Sequence, residues 1–216
     1  MTGEPVTGEP RKIRFDAPGD VWFFAYGSLM WDPGFPFEER RPALVRGYHR
    51  AFCVNSRSYR GTAARPGLVL GLDRGGACLG RAYRVAADKR SAVAWYLEER
   101  ELPEDIYICR PVPLTTPEGR ITAYAFVVNR RHFLYAGKLS DDDIAARLAT
   151  CAGNRGTNRA YLENTVRHLD ELGIREGHLH RILRAVEARP PGLAGDGGPD
   201  DTAAQTNIPA MQGDEV

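Results

Sequence analysis

Runs of aromatic and β-branched residues in the first half of the chain predict β-strands. One run, over residues 21–26, stops at Gly27-Ser28, which is a turn signal. Another, over residues 42–55, alternates roughly between apolar and polar positions, as a half-buried strand does. Further strand-like segments lie at residues 67–72, 78–85, 107–113 and 121–128, with predicted turns at 73–76 and 116–119.

Apolar residues at helical spacing predict helices over residues 87–101, 140–151, 157–172 and 177–188. Ser140 is followed by three aspartates, which suit a helix N-terminus. Pro103 ends the first helix because proline cannot continue one. Strands come first, with helices inserted among them and gathered at the end of the chain. Since the two types do not alternate regularly, this order predicts an α+β domain with a mixed or antiparallel, barrel-like sheet.

The two ends of the chain lack such patterns. The unit Thr-Gly-Glu-Pro occurs twice within residues 2–10, and the C-terminal stretch is rich in Gly, Pro, Asp, Ala and Gln. Such segments bury too little apolar area to offset the entropy lost on ordering. We therefore predict disordered tails over residues 1–18 and 189–216 and one folded domain over residues 19–188.

Composition narrows the function classes. With 29 basic and 28 acidic residues, the formal net charge is +1, which offers no electrostatic footprint for nucleic acid or an anionic membrane. The four cysteines are too far apart for a CxxC motif, so we expect buried, reduced thiols. No signal-like or membrane-spanning apolar run is present. These features favour a cytoplasmic protein with a small-molecule or protein partner.

Two segments are candidates for chemistry. Backbone N–H groups in the turn at residues 26–29 can bind a carboxylate or stabilise an oxyanion, although an ordinary β-turn explains the same residues. Glu101 lies at the C-terminal end of a predicted helix, where the macrodipole raises the pKa of a desolvated carboxyl, as an acid/base requires. A solvated acidic face is the alternative for Glu98, Glu99 and Glu101. The histidines form no cluster typical of a metal site, and the serines include no Gly-x-Ser-x-Gly elbow.

Several short motifs occur together in a specific order. They are VWFFAYGSLMWDP at residues 21–33, HRAFC at 49–53, RGT at 60–62, PG at 66–67, GRAYR at 80–84, YLEERE at 96–101, AGNRGTN at 152–158 and YL at 161–162. As an ordered set they resemble the ChaC family of glutathione-specific γ-glutamylcyclotransferases, over residues 21–187. One position departs from the family pattern, because Ala25 stands where relatives usually have glycine.

The resemblance implies a fold, a reaction and a set of site residues. The fold is the γ-glutamylcyclotransferase-like barrel with flanking helices. The reaction converts glutathione into 5-oxoproline and cysteinylglycine without a cofactor or metal, a lyase-type activity with Glu101 as acid/base. Tyr161 is expected to line the pocket, and Arg60 to bind the glycine carboxylate. The implied substrate-binding residues are Phe23, Phe24, Ala25, Tyr26, Gly27, Ser28, Leu29, Arg60 and Tyr161.

The implied chemistry needs no enzyme nucleophile, since the α-amino group of the substrate attacks its own γ-carbonyl. A single carboxyl of raised pKa can accept the proton of the ammonium and return it to the leaving amide nitrogen. Two alternatives remain open at this point. One is a cyclotransferase for other γ-glutamyl amides, and the other is a non-catalytic regulator of cation transport. The sequence does not predict the oligomeric state.

Overall fold

The computed structural model describes residues 12–102 and 104–189. In chain order the elements are β1 (Val21–Ala25), a 3-10 helix (Ser28–Met30), β2 (Glu39–Ser56), β3 (Gly67–Val85), α1 (Arg90–Glu101), β4 (Tyr107–Thr116), β5 (Gly119–Val128), α2 (Asp141–Thr150), β6 (Ala152–Gly153), β7 (Gly156–Thr157), α3 (Asn158–Glu171) and α4 (Gly177–Glu187).

The first five strands form a closed barrel in the order β1-β3-β2-β4-β5. Most neighbours are antiparallel, but β1 runs parallel to β5, and this pairing closes the barrel. Closure leaves β1 with a partner on each side, so the backbone groups of a short apolar strand are paired inside the wall. The predicted α+β fold with a mixed, barrel-like sheet is therefore confirmed.

The predicted turn at residues 73–76 is wrong. Strand β3 continues through this segment and pairs with β2 along its length. Gly75 and Gly76, with φ of +104° and +69°, lie opposite Gly47, with φ of +83°. These glycines adopt the left-handed backbone of a bulge between two long strands rather than reversing the chain. A glycine pair has the same sequence signature in both cases, and only the partner strand decides between them.

Two of the helices begin at residues whose side chains cap them, and one of these, Ser140, is at a helix start predicted from the sequence. Ser140 accepts a hydrogen bond from the backbone N–H of Asp143 at the start of α2, and Thr157 is the N-cap of α3. The first side chain of α3, that of Asn158, is fully buried and makes hydrogen bonds with both the N–H and the carbonyl of Leu68 in β3. This pairing fixes α3 against the barrel. Within the described ranges, no helix is long and apolar enough to cross a membrane.

The predicted tails fall mostly on residues 1–11 and 190–216, which lie outside the described residues. The segment at residues 12–18 is described and contacts the domain. Ile13 is 2% exposed and belongs to the main hydrophobic core, and Phe15 packs against it. The predicted boundary between residues 18 and 19 thus lies inside a segment that packs on the barrel.

Gly80 on β3 provides a test of how closely β1 packs against β3. A Cβ at Gly80 would lie 2.2 Å from the carbonyl oxygen of Ala25 and 2.8 Å from Phe24 Cζ. We expect Gly80→Ala to lower the free energy of unfolding by about 1–3 kcal/mol, as overpacking does, in a urea titration. Gly177→Ala is the control, because a Cβ there meets open space. Equal stability of both variants would contradict the close approach of β1 and β3.

Candidate active site

A small cavity of about 80 Å³ lies where the end of β1, the last residue of α1 and strands β3, β4 and β5 meet α3. Its lining residues are Tyr26, Gly27, Ser28, Leu29, Val69, Leu70, Glu101, Tyr107, Phe126 and Tyr161. Glu101 is the one acidic residue of this set. The remaining walls are aromatic rings, aliphatic side chains and the backbone of the loop at residues 26–29.

Glu101 is the last residue of α1, and its side chain is only 19% exposed. Burial raises the pKa of this carboxyl above its ordinary value, because the charged form loses its hydration. The neighbouring Arg100 opposes the shift, with Nε 3.3 Å from Glu101 Oε1, but does not cancel it. The site thus contains a carboxyl whose affinity for a proton exceeds that of a solvated glutamate.

Arg100 connects this carboxyl to the loop. Besides Glu101, its guanidinium donates to Ser28 Oγ at 3.1 Å and to the hydroxyl of Tyr96 at 2.7 Å. The planar guanidinium presents several N–H donors in fixed directions, so it can bind acceptors on different elements at once. Arg100 therefore fixes the distance between the end of α1 and the start of the 3-10 helix.

The loop after β1 turns into the 3-10 helix within two residues. The first bond inside this helix is donated by the N–H of Met30 to the carbonyl of Gly27. The N–H groups of Ser28 and Leu29 therefore have no acceptor inside the helix, and both residues line the cavity. The loop can present donors to an anionic group of a ligand.

Arg50 of β2 fixes the other side of the loop. Its side chain is fully buried, and its Nε donates to the carbonyl of Tyr26 at 2.5 Å. A second nitrogen donates to the carbonyl of Leu79 in β3 at 2.9 Å, and a third forms an ion pair with Glu176, the N-cap of α4. Since a buried guanidinium needs acceptors for its donors, these bonds determine where the Tyr26 carbonyl points.

Three tyrosines complete the walls, and burial raises the pKa of each phenol. The pKa is well above its ordinary value for Tyr26 and Tyr107, and about 12 for Tyr161. Tyr107 donates its hydroxyl to the carbonyl of Leu70 at 2.7 Å, while the N–H of Leu70 approaches the Tyr161 oxygen at 3.4 Å. All three phenols are neutral at physiological pH, so Glu101 is the one lining side chain that can carry a charge there.

The structure brings together six of the residues predicted from the sequence and separates the others. Around the cavity lie Tyr26, Gly27, Ser28, Leu29, Glu101 and Tyr161. Phe23, Phe24 and Ala25 are instead at most 2% exposed within the barrel core, where they support the loop without lining the cavity. Arg60 lies outside the lining, with its guanidinium 5.2 Å from the centre of the Tyr161 ring.

The alanine that departs from the family pattern fits its position. Among the described residues, Asp105 is the one non-glycine residue with a positive φ, so Ala25 does not adopt the left-handed backbone that favours glycine. Its side chain is buried, and its backbone pairs with Arg81 of β3. The loop therefore has no conformational requirement for glycine at residue 25.

Several residues at the site were not singled out from the sequence. Tyr107, Phe126, Val69 and Leu70 line the cavity, but in the sequence they are ordinary members of strand-like runs. Arg50 and Arg100 contact the loop, and each is one of many arginines in polar segments. The one available signal was position, because Arg50 falls in the HRAFC motif and Arg100 directly precedes Glu101.

Known proteins resemble this chain in sequence and in fold. A family model described as ChaC-like protein matches residues 21–189. The chain is 35% identical over 170 residues to a glutathione-specific gamma-glutamylcyclotransferase of Escherichia coli (strain K12), covering 78% of this chain and 74% of that protein. It is 34% identical over 176 residues to glutathione-specific gamma-glutamylcyclotransferase 1 of Mus musculus, covering 78% and 79%. A yeast γ-glutamyl cyclotransferase specific to glutathione superposes with a TM-score of 0.70 at 20% identity, over 78% of this chain and 98% of that one, which shows the shared fold.

The raised pKa of Glu101 predicts a pH-dependent cost to stability. The folded state binds this proton more tightly than the unfolded chain does, so the stabilisation is fully present below the unfolded pKa of about 4.3 and is lost as pH rises through the folded pKa. Glu101→Gln does not ionise. We expect its melting temperature to match that of the wild type in acid and to exceed it by a few degrees at neutral pH, by calorimetry. Glu99→Gln, at an exposed position, should show no such trend; a less stable Glu101→Gln at neutral pH would contradict the burial argument.

The Arg50 contacts predict a large and specific loss of stability. Arg50→Leu leaves the Glu176 carboxylate and two carbonyls without their donor, and we expect it to cost about 3 kcal/mol of unfolding free energy in urea. Arg46→Leu, on an exposed position of the same strand, is the matched control. The double variant with Glu176→Leu should recover part of the loss. Equal effects of Arg50→Leu and Arg46→Leu would show that the buried contacts contribute nothing.

Proposed function

This chain belongs to the ChaC family, and we propose that it is an enzyme that cleaves glutathione into 5-oxoproline and cysteinylglycine, with Glu101 as general acid/base. The observation that carries the proposal is the position of Glu101. A carboxyl whose pKa is raised by burial lines the same small cavity as the loop at residues 26–29. The curated relatives named above are glutathione-specific enzymes, which supports the choice of substrate.

Glu101 is the proposed carrier of protons from the α-nitrogen to the leaving nitrogen. The α-ammonium of the substrate gives one proton to the Glu101 carboxylate, and the free amine then forms a C–N bond with the γ-carbonyl carbon, whose oxygen becomes an oxyanion. Glu101 gives this proton to the amide nitrogen as the amide C–N bond breaks and the carbonyl reforms. The second proton of the ring nitrogen passes by the same carboxylate to the released amine, which leaves as an ammonium. An α-ammonium has a pKa of about 7.7–8.0. Raising the pKa of Glu101 brings it closer to the pKa of the α-ammonium, which makes the first proton transfer, from the ammonium to the carboxylate, less uphill.

The loop after β1 supplies donors for negative charge. The N–H groups of Ser28 and Leu29 have no acceptor within the 3-10 helix, and preorganised N–H groups of this kind stabilise a tetrahedral oxyanion. The same donors can instead bind the α-carboxylate of the glutamyl group. Arg50 and Arg100 fix the loop on both sides, so the donors need little rearrangement when the substrate binds.

The size of the cavity divides the substrate into two parts. At about 80 Å³, the cavity lies far below the pockets of about 300–1,000 Å³ that enclose larger ligands, so it does not enclose the whole tripeptide. We therefore propose that the glutamyl end, folded back on itself, fills the cavity and that cysteinylglycine extends out of it. Arg60, next to Tyr161, is the proposed partner of the glycine carboxylate. The cytoplasmic location predicted from the sequence stays a prediction.

Glu101→Gln tests the proposed acid/base. The amide preserves the shape of the side chain and cannot carry the proton, so we expect 5-oxoproline formation from glutathione to fall by about 100-fold or more. Glu99→Gln makes the same chemical change on the exposed face of α1 and should keep wild-type activity. Both variants are compared by chromatographic assay of 5-oxoproline and cysteinylglycine, after circular dichroism confirms folding.

The outcomes separate the proposal from its alternatives. Substantial turnover by Glu101→Gln would remove Glu101 from the mechanism. A wild-type protein that ignores glutathione but cyclises another γ-glutamyl amide would have the proposed chemistry and a different leaving group. A wild-type protein inert on all γ-glutamyl compounds would favour the non-catalytic, regulatory alternative.

A further inference from the structure

The catalytic carboxyl proposed above lies at a structurally weak position. Glu101 is the last residue of α1, and the final carbonyls of a helix have no donors within it. Helix ends fray, so the position of a side chain on the last turn depends on contacts from outside the helix. Arg100 supplies one such contact toward the loop. A second set of contacts comes from the N-terminal segment, defined as residues 12–19.

The N-terminal segment contacts α1 on both sides of Glu101 in sequence. Glu98 Oε1 accepts the backbone N–H groups of Lys12 and Ile13, each at 2.6 Å. The Lys12 ammonium donates to the carbonyl of Leu102 at 2.9 Å and to the Asp105 carboxylate at 2.5 Å. The residue three positions before Glu101 and the residue directly after it are thus both bonded to the same segment.

The segment is itself anchored along the helix. It runs antiparallel to α1, and at the far end the guanidinium of Arg90 donates to the carbonyls of Ala17 and Gly19 at 2.9 and 3.2 Å. Between these ends Ile13 is 2% exposed, and the ring of Phe15 lies 5.3 Å from that of Tyr124 on β5. The segment therefore connects the last turn of α1 to the barrel core.

Glu98 is not one of the solvated acids of the helix. It is 8% exposed, whereas Glu99 lies on the solvent face. A buried carboxylate costs free energy unless hydrogen bonds replace its hydration, and bonds from N–H groups to a charged acceptor are among the stronger ones. The segment precedes residues 21–189, which match the family model.

We propose that the N-terminal segment positions the last turn of α1, and with it Glu101, through the bonds of Glu98 and Lys12. Glu98 and Lys12 are positioning residues, since neither lines the cavity. The expected effect on catalysis rests on the proposed function. The expected ordering of the last turn of α1 by the segment does not depend on the substrate.

Point variants of the full chain test the catalytic consequence. We expect Glu98→Ala to lower kcat for glutathione by about tenfold or more, because small displacements of a reacting group are costly, with little change in KM. Glu98→Gln keeps an oxygen acceptor and should retain most of the activity. Lys12→Met, at an exposed side chain, should give a smaller loss in kcat and tests the same contact if Glu98→Ala does not fold. Glu99→Ala is the matched control.

The pH profile distinguishes positioning from a general loss of stability. If the last turn frays, Glu101 gains solvent, and the acidic limb of kcat/KM moves to lower pH, toward the ordinary glutamate value of about 4.3. None of these variants replaces a charged or titratable group that faces Glu101. Those groups are Arg100, Tyr26, Tyr107 and Tyr161. A lower melting temperature with an unmoved acidic limb would overturn the proposal.

Amide hydrogen exchange tests whether the segment orders the last turn of α1, without any assay of activity. We expect Glu98→Ala and Lys12→Met to lose protection selectively in the last turn of α1. Unchanged protection there, or an even loss over the whole domain, would overturn the proposal. If the wild-type protein does not turn over glutathione, the proposed function fails, and the exchange result alone still supports or overturns the positioning of the last turn.

Discussion

The buried guanidinium of Arg50 is the interaction on which the arrangement of the site depends. This one cation binds the carbonyl of Tyr26 directly after β1, the carbonyl of Leu79 in β3, and the carboxylate of Glu176 directly before α4. It therefore joins the loop, the barrel wall and the C-terminal helices at a single point that water does not reach. Because each donor of a buried guanidinium needs an acceptor, these three elements cannot shift independently without a large cost.

The chemistry of the site follows from the largely uncharged surroundings of Glu101. The cavity walls carry neutral phenols, aliphatic side chains and backbone groups, and the Arg100 guanidinium opposes the pKa shift without cancelling it. A carboxyl in such an environment favours its protonated form more than a solvated glutamate does. That property suits a reaction in which the same group accepts a proton and then returns it. The small volume of the cavity also suits this reaction, since it favours a compact, folded glutamyl group over an extended one.

Glu101 is fixed from two directions. Arg100 connects it to the loop that presents N–H donors, and the N-terminal segment is bonded to the residues around it on α1. The first connection lies within the residues that match the family model, and the second begins outside them.

The sequence by itself determined the types of most elements, the helix cap at Ser140 and the fold class, and it singled out the loop at residues 26–29 and Glu101 as candidates. These follow from local periodicity, turn chemistry and an ordered set of motifs. Only the tertiary structure decided that β3 is continuous through Gly75, that Phe23 supports the barrel core instead of the cavity, and that Tyr107 faces the site. The physical reason is the same in each case. A glycine pair, an aromatic residue in a strand or one arginine among many has several possible roles, and its role is set by the residues distant in sequence that barrel closure places against it.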